Sequence, residues 1–215
     1  MASVKAKILL PIALMVVFAL SRWPGLMPWN FSAAYALMFC AGVYFPKRLV
    51  WWLPMATMLA CDLLLNCYYH AHYGTPVFSV DLIGNYVAYV ALIWLGRRFS
   101  PKASFLSLLG GGILGALLFY LITNTLSWFL NPFQAPEYTK NLIGWLRALT
   151  TGMANYSYPI KMQTWELFRN TLTSGGLFTG LFAGAMKLTE AAEPVEEEEK
   201  PAEEKPEKEP EEAKA

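Results

Sequence analysis

The chain has 215 residues, 55% of them hydrophobic and 15% charged, and its formal net charge of +1 conceals two opposed parts, +9 over residues 1–189 and −8 over residues 190–215. A soluble domain of about 190 residues would alternate apolar and polar positions and spread charge through its loops. Repeated unbroken apolar blocks exclude that class and predict an all-α polytopic membrane protein, with no basic stretch to mark a nucleic-acid partner.

In chain order the predicted spans cover residues 8–20, 31–45, 49–65, 82–96, 105–130 and 165–188. Several are shorter than the roughly 20 residues that cross a 30 Å hydrocarbon core, so their ends extend into flanking sequence or line a protein cavity. The first block follows Lys5 and Lys7 and ends in small residues at Ala19 to Ser21. That pattern suits a cleaved signal peptide, while the Pro24-Gly25 and Pro28 turn reads as an ordinary outer loop. Lys47 and Arg48 separate the second and third spans, Arg97, Arg98 and Lys102 the fourth and fifth, and Lys187 closes the sixth. The opposite short loops carry only Arg22. By the positive-inside rule both termini are cytoplasmic, in the inner (cell) membrane of a bacterium, which calls for an even number of spans. Residues 1–189 thus form a six-helix transmembrane domain. Residues 190–215, rich in Glu, Lys and Pro, form a tail that cannot bury enough apolar surface to fold alone, so a disordered cytoplasmic segment is expected.

Five spans carry a polar residue toward the outer side: Asn30, Asp62, Asn85, Asn124 and Asn170. Asp62 lies four residues before the outer end set at Asn66, about 6 Å along the helix axis. Polar groups in hydrocarbon need partners or water, and a central Asp costs about 2.5 to 3.5 kcal/mol on insertion scales. Shared depth on five spans predicts an outward-opening polar cavity, with Tyr86, Tyr89, Tyr120 and Trp128 as flat faces nearby. The alternative is structural: Asn as interhelical glue, Asp62 paired with Arg22 or Arg169, and the aromatics as interfacial anchors. The inner halves carry Gly110, Gly111, Gly112 and Gly115, then Gly176, Gly180 and Gly184 in a stripe recurring every fourth residue. Such stripes pack helices inside a bundle or dock a partner subunit.

Residues 131–164 form a long outer segment. Within it Leu142, Trp145, Leu146 and Leu149 recur at i, i+3, i+4 and i+7, predicting a short amphipathic helix, either a lid over the cavity or an interfacial anchor. Tyr138, Trp145, Tyr156 and Tyr158 argue against disorder there. Cys67, His70 and His72 make the one metal-like grouping, three ligands in an outer loop without a fourth at fixed spacing. Phosphate-binding glycine loops, catalytic constellations and cofactor motifs are absent, so neither an enzyme nor a cofactor is expected.

The run Asn30-Phe31-Ser32-Ala33-Ala34-Tyr35 continuing to Gly42-Val43-Tyr44-Phe45, then Pro54, Asp62, Phe119, Thr123-Asn124, Trp128, Asn170-Thr171-Leu172 and Leu181-Phe182-Ala183-Gly184, resembles a bacterial integral-membrane family of unknown function described as transport proteins. That family is similar in layout to the S components of energy-coupling-factor vitamin transporters, six-helix proteins with an outward site. The resemblance implies uptake of a small molecule, vitamin-like or a precursor, with a coupling subunit and ATPases supplied by other chains and membrane lipid around the helices. It departs from the S-component docking signature Ala-x-x-x-Ala in the first span, where Val17 follows Ala13. Two functions therefore stand: a substrate-binding transport subunit using Asp62 and the four Asn, or a membrane scaffold or assembly protein in which they are glue.

Overall fold

The computed structural model describes residues 12, 13, 15–132, 134–153 and 162–192, and every regular element among them is helical. The helices are α1 (12, 13 and 15–21), α2 (Ala34–Tyr44), α3 (Trp52–Tyr73), α4 (Asp81–Gly96), α5 (Phe105–Leu130), α6 (Leu142–Leu149) and α7 (Thr164–Ala192). Residues 193–215, Tyr156 and Tyr158 lie outside the described residues, as does the start of the predicted first span.

α2 is the axis of the bundle. Its sequence is apolar all round, and a helix of that kind has no face to offer water; every residue from Ala34 to Val43 is buried, against α4, α5 and α7. The helix starts three residues after the predicted block and has only 11 residues. The all-helical class holds, but of the six expected spans only α5 has the length and apolarity to cross a membrane on its own among the described residues. α2 and the apolar part of α4 are shorter.

α3 departs furthest from expectation. It continues to Tyr73, where Gly74 takes the left-handed conformation (φ 67°) and its N–H donates to the His70 carbonyl, the usual device for ending a helix. Cys67, His70 and His72 therefore sit on a helix, not in a loop, and Asp62 stands eleven residues, about 16 Å, before its end. The last turns of α3 overhang the start of α4.

Close backbone approach occurs at glycines other than the predicted stripe. A Cβ on Gly42 would lie 2.9 Å from the Gly96 Cα and 3.0 Å from the Arg97 nitrogen, and one on Gly96 would lie 3.0 Å from the Gly42 Cα, so α2 and α4 cross in backbone contact. Gly111 faces the rings of Phe39 and Phe99, Gly112 faces Thr179, and Gly115 has ordinary room beside Leu92. Gly176 points at Ile113 of α5, Gly180 at Leu109 and Phe105, and Gly184 at Phe105, along a partly exposed seam between α5 and α7, with Cβ distances of 3.4, 3.8 and 3.8, and 3.9 Å.

Large apolar side chains are exposed along α1, α3, α4, α5 and α7. Ile83, Val87, Val90 and Trp94 form an exposed stripe on α4, and Ile12, Val16 and Leu20 on α1, Leu106, Ile113 and Leu114 on α5, and Leu177, Leu181 and Leu188 on α7 are exposed likewise. Soluble monomers rarely show apolar surface of this extent.

α6 turns a different face inward from the one its periodicity suggests. Gly144 and Ala148 are buried, whereas Leu142, Ile143 and Leu146 are exposed, because small residues let α6 lie close to the chain at Thr139. Trp145 Nε1 donates to Thr125 Oγ1 at 3.0 Å, and the Tyr120 hydroxyl donates to the Leu149 carbonyl, tying α6 to α5. Trp145→Phe keeps an aromatic face, trims the indole to a phenyl ring and deletes one bond. It is expected to cost about 1 kcal/mol, read as a lower unfolding midpoint in detergent; an unchanged midpoint would mean that packing alone docks α6.

Candidate functional site

At the end of the bundle where α3 overhangs α4 lies a cavity of about 590 Å³. Its near wall is the connection between α1 and α2. Asn30 adopts φ 56°, a left-handed turn that Asn tolerates, and folds this connection over the start of α2. Tyr35 Oη then donates to the Asn30 carbonyl at 3.2 Å, and Asn170 Nδ2, from α7, donates to the Trp29 carbonyl at 2.9 Å. The overhang of α3 contributes Tyr68, Tyr69 and Tyr73, α4 contributes Asn85 and Tyr89, and α5 contributes Phe119, Thr123, Asn124 and Ser127. Tyr138, Gly152, Met153 and Met162, from the segment between α5 and α7, close the remaining side.

Of the residues singled out from sequence, Asn30, Asn85 and Asn124 share this wall. Asn124 also donates its amide to the Tyr120 carbonyl at 2.9 Å. Asn170 does not line the cavity; its amide clamps the α1–α2 connection instead. Trp128 is elsewhere too: its Nε1 donates to the Thr139 carbonyl at 2.8 Å, and Lys140 Nζ, 5.3 Å from the ring centre, donates to the Trp128 carbonyl at 2.7 Å. It fastens the segment after α5.

Asp62 and Tyr86 also stand outside the cavity wall. Asp62 is buried, and its Oδ1 accepts from Arg22 Nη2 in an ion pair while its Oδ2 accepts from Tyr86 Oη at 3.1 Å. Arg22, by contrast, lines the cavity, and it is the one charged residue among the described residues that do. Its Nε is buried without a hydrogen-bond partner. Sequence reasoning left Arg22 at the rim as a pairing partner; its isolation in an outer loop otherwise without Lys or Arg was the available signal.

Aromatic rings supply most of the remaining surface. Tyr89 stacks on Phe119 with centroids 5.3 Å apart, Tyr35 tilts against Phe119 at 4.6 Å, and Trp29 stacks on Tyr69 at 5.7 Å. These contacts hold the rings as fixed flat faces.

Behind Asp62 a second, apolar groove of about 530 Å³ separates α3 from α4, lined by Leu59, Leu63, Phe78, Ile83, Val87 and Val90 among others. These two consecutive helices scarcely approach each other. The Tyr86–Asp62 bond and the Asn66 Nδ2 donation to the Val77 carbonyl at 3.0 Å are what bridge this side of the bundle.

Cys67, His70 and His72 do not converge. His70 Nδ1 pairs with the Thr75 carbonyl and His72 Nδ1 with the Tyr68 carbonyl, both at 2.8 Å, and Cys67 is exposed. Among the described residues no group of three or more His, Cys, Asp or Glu is placed to hold a metal ion. At i, i+3 and i+5 on one helix the three side chains point to different sides of the axis.

A family model, that of a family of unknown function (DUF6580), matches residues 2–197, and the chain belongs to that family. No curated protein and no solved structure matches it.

Proposed function

We propose that this member of the DUF6580 family is a multi-pass membrane protein that binds a small molecule in the cavity and serves as the substrate-binding subunit of an uptake system, with any energising subunits supplied by other chains. The observation that carries the reading is a cavity walled by amides, hydroxyls and aromatic rings at one end of a bundle whose outer surface is apolar. Cavities of this size and lining are typical of small-molecule sites, and an apolar exterior of this extent suits lipid. Exposed Trp51, Trp52 and Trp94 mark one end of the bundle and Trp23 and Trp165 the other, as interfacial tryptophans do. Lys47, Arg48, Arg97, Arg98, Lys102 and Lys187 gather at the end away from the cavity, which by the positive-inside rule supports a cytoplasmic end there and an outward-facing cavity.

Native mass spectrometry of the purified chain in gentle detergent tests the binding role. A retained small molecule, displaced when Asn85 and Asn124 are both replaced by Leu to fill the cavity, is the expected result. A folded chain that never carries one, from any growth medium, would sink it. The scaffold reading draws on Asn170 and Trp128, whose polar atoms are committed within the chain, and it gains if those substitutions lower folded protein without touching any ligand.

Orientation has its own test, because the three cysteines differ in access: Cys40 is buried, Cys61 half-buried and Cys67 exposed on the overhang of α3. A membrane-impermeant maleimide added to intact cells is expected to label the chain once, with labelling lost in Cys67→Ser. Labelling that requires broken cells would reverse the topology.

A further inference from the structure

We infer that the cavity takes a planar molecule bearing an anionic acceptor group, a carboxylate in the simplest case, with Arg22 recognising the charge; this rests on the binding role proposed above. The described wall contains no Asp, Glu or Lys, so the charge a ligand meets is the Arg22 guanidinium. Asp62 stands behind it on the groove side. The amides of Asn30, Asn85 and Asn124 orient a polar molecule whatever its charge, so they do not decide the sign; Arg22 does.

Pairing within the protein leaves that guanidinium incomplete. A guanidinium presents five N–H donors in a planar fork that matches a carboxylate with two parallel bonds. Asp62 does not use the fork in this way. It engages Nη2 through Oδ1 and turns Oδ2 to Tyr86, while Nε has no partner. A buried donor without a partner is costly, and the Arg22 side chain, 17% exposed on the cavity wall, keeps N–H donors that Asp62 does not use for an incoming acceptor with two oxygens. A cation in the same place finds no carboxylate in the wall to pair with, because Asp62 is turned to Arg22 and Tyr86 on the groove side. The body of the ligand is planar because the fixed faces of Tyr89, Phe119, Trp29 and Tyr69 favour stacking.

Three indoles that share a ring and differ in charge separate the cases: indole-3-acetate, indole-3-acetamide and tryptamine, titrated calorimetrically into the full chain in detergent. Indole-3-acetate is expected to bind at least about tenfold more tightly than the amide, the scale of one charge-assisted bond, with tryptamine weakest. Arg22→Gln alone strands Asp62, so the informative variant is Arg22→Gln with Asp62→Asn, which removes both charges together. In it the advantage of the acetate over the amide is expected to vanish while the amide still binds. If the amide or tryptamine matches the acetate, or the double variant keeps the preference, the anionic class is overturned and the uptake reading stands. If none of the three binds the folded chain at millimolar concentration, the planar anionic class is overturned, and the native mass spectrometry described above decides the binding role separately.

Discussion

Asp62→Ala is expected to destabilise the chain by about 3 to 5 kcal/mol, because it strands a buried guanidinium. Arg22 and Asp62 are both largely shielded, with side chains 17% and 8% exposed, and Arg stays charged under all accessible conditions. Removing the carboxylate therefore leaves a charge with no neutralising partner and frees Tyr86 as well. The measurement is unfolding in mixed micelles, with the single variants Asp62→Asn and Arg22→Gln and their combination completing a cycle. The double variant is expected to recover most of the loss, since a buried pair replaced as a unit is often close to neutral. If Asp62→Ala proves as stable as the wild type, the pair is solvated and the account of the site as closed behind Arg22 is wrong. Loss of ligand binding by Asp62→Ala is thus no proof of contact with ligand: its expected first effect is on the shape of the wall.

Gly96→Ala is expected to cost at least about 2 kcal/mol, the upper range for overpacking a tight core, whereas Gly180→Ala is expected to be neutral or slightly stabilising. The two differ in what the new methyl meets. At Gly96 it meets the backbone of α2, the Phe39 carbonyl and the Gly42 Cα, which can yield only if two helices part. At Gly180 it finds Leu109 and Phe105 side chains at 3.8 Å, ordinary contact, and Ala is the better helix former by about 1 kcal/mol. Unfolding of the two variants beside the wild type checks the contrast. Equal behaviour would mean that α2 and α4 can separate freely.

That contrast also marks what could be read from sequence. Spacing singles out Gly176, Gly180 and Gly184, yet spacing reports only that three small residues share a face, not how close the neighbouring backbone comes. Gly42 and Gly96 are single glycines 54 positions apart, and their meeting depends on the crossing of α2 with α4. The helical class and the limits of α5 followed directly from apolar runs; the cap at its start, the Ser104 hydroxyl accepting from the Ser107 N–H, emerges only from the structure. The end of α3 was misplaced because Asn66 to Tyr73 lose apolarity while keeping helical order, and Gly74 rather than hydropathy ends the helix. Within the site, depth along the spans brought Asn30, Asn85 and Asn124 together. It could not say which way Asp62 faces, since a helix at fixed depth offers every azimuth; Arg22 and Tyr86 settle that by pairing with it.

The shortness of α2 bears on energy as well as shape. Eleven residues rise about 16 Å, roughly half of a 30 Å hydrocarbon core, and the cavity occupies the space above its first turn. In the orientation proposed above, a ligand held there lies partway across the bilayer while still in contact with the outer solution. For an anion the rest of the path runs against an inside-negative membrane potential, which charges about 2.3 kcal/mol per elementary charge per 100 mV for the full thickness, and so about half that below the cavity. Passage inward is then an electrically uphill step of about 1 kcal/mol per 100 mV, on top of any concentration gradient. On the uptake reading proposed above, a subunit of this shape collects its ligand passively, and delivery calls for a source of work acting from the opposite end of the bundle.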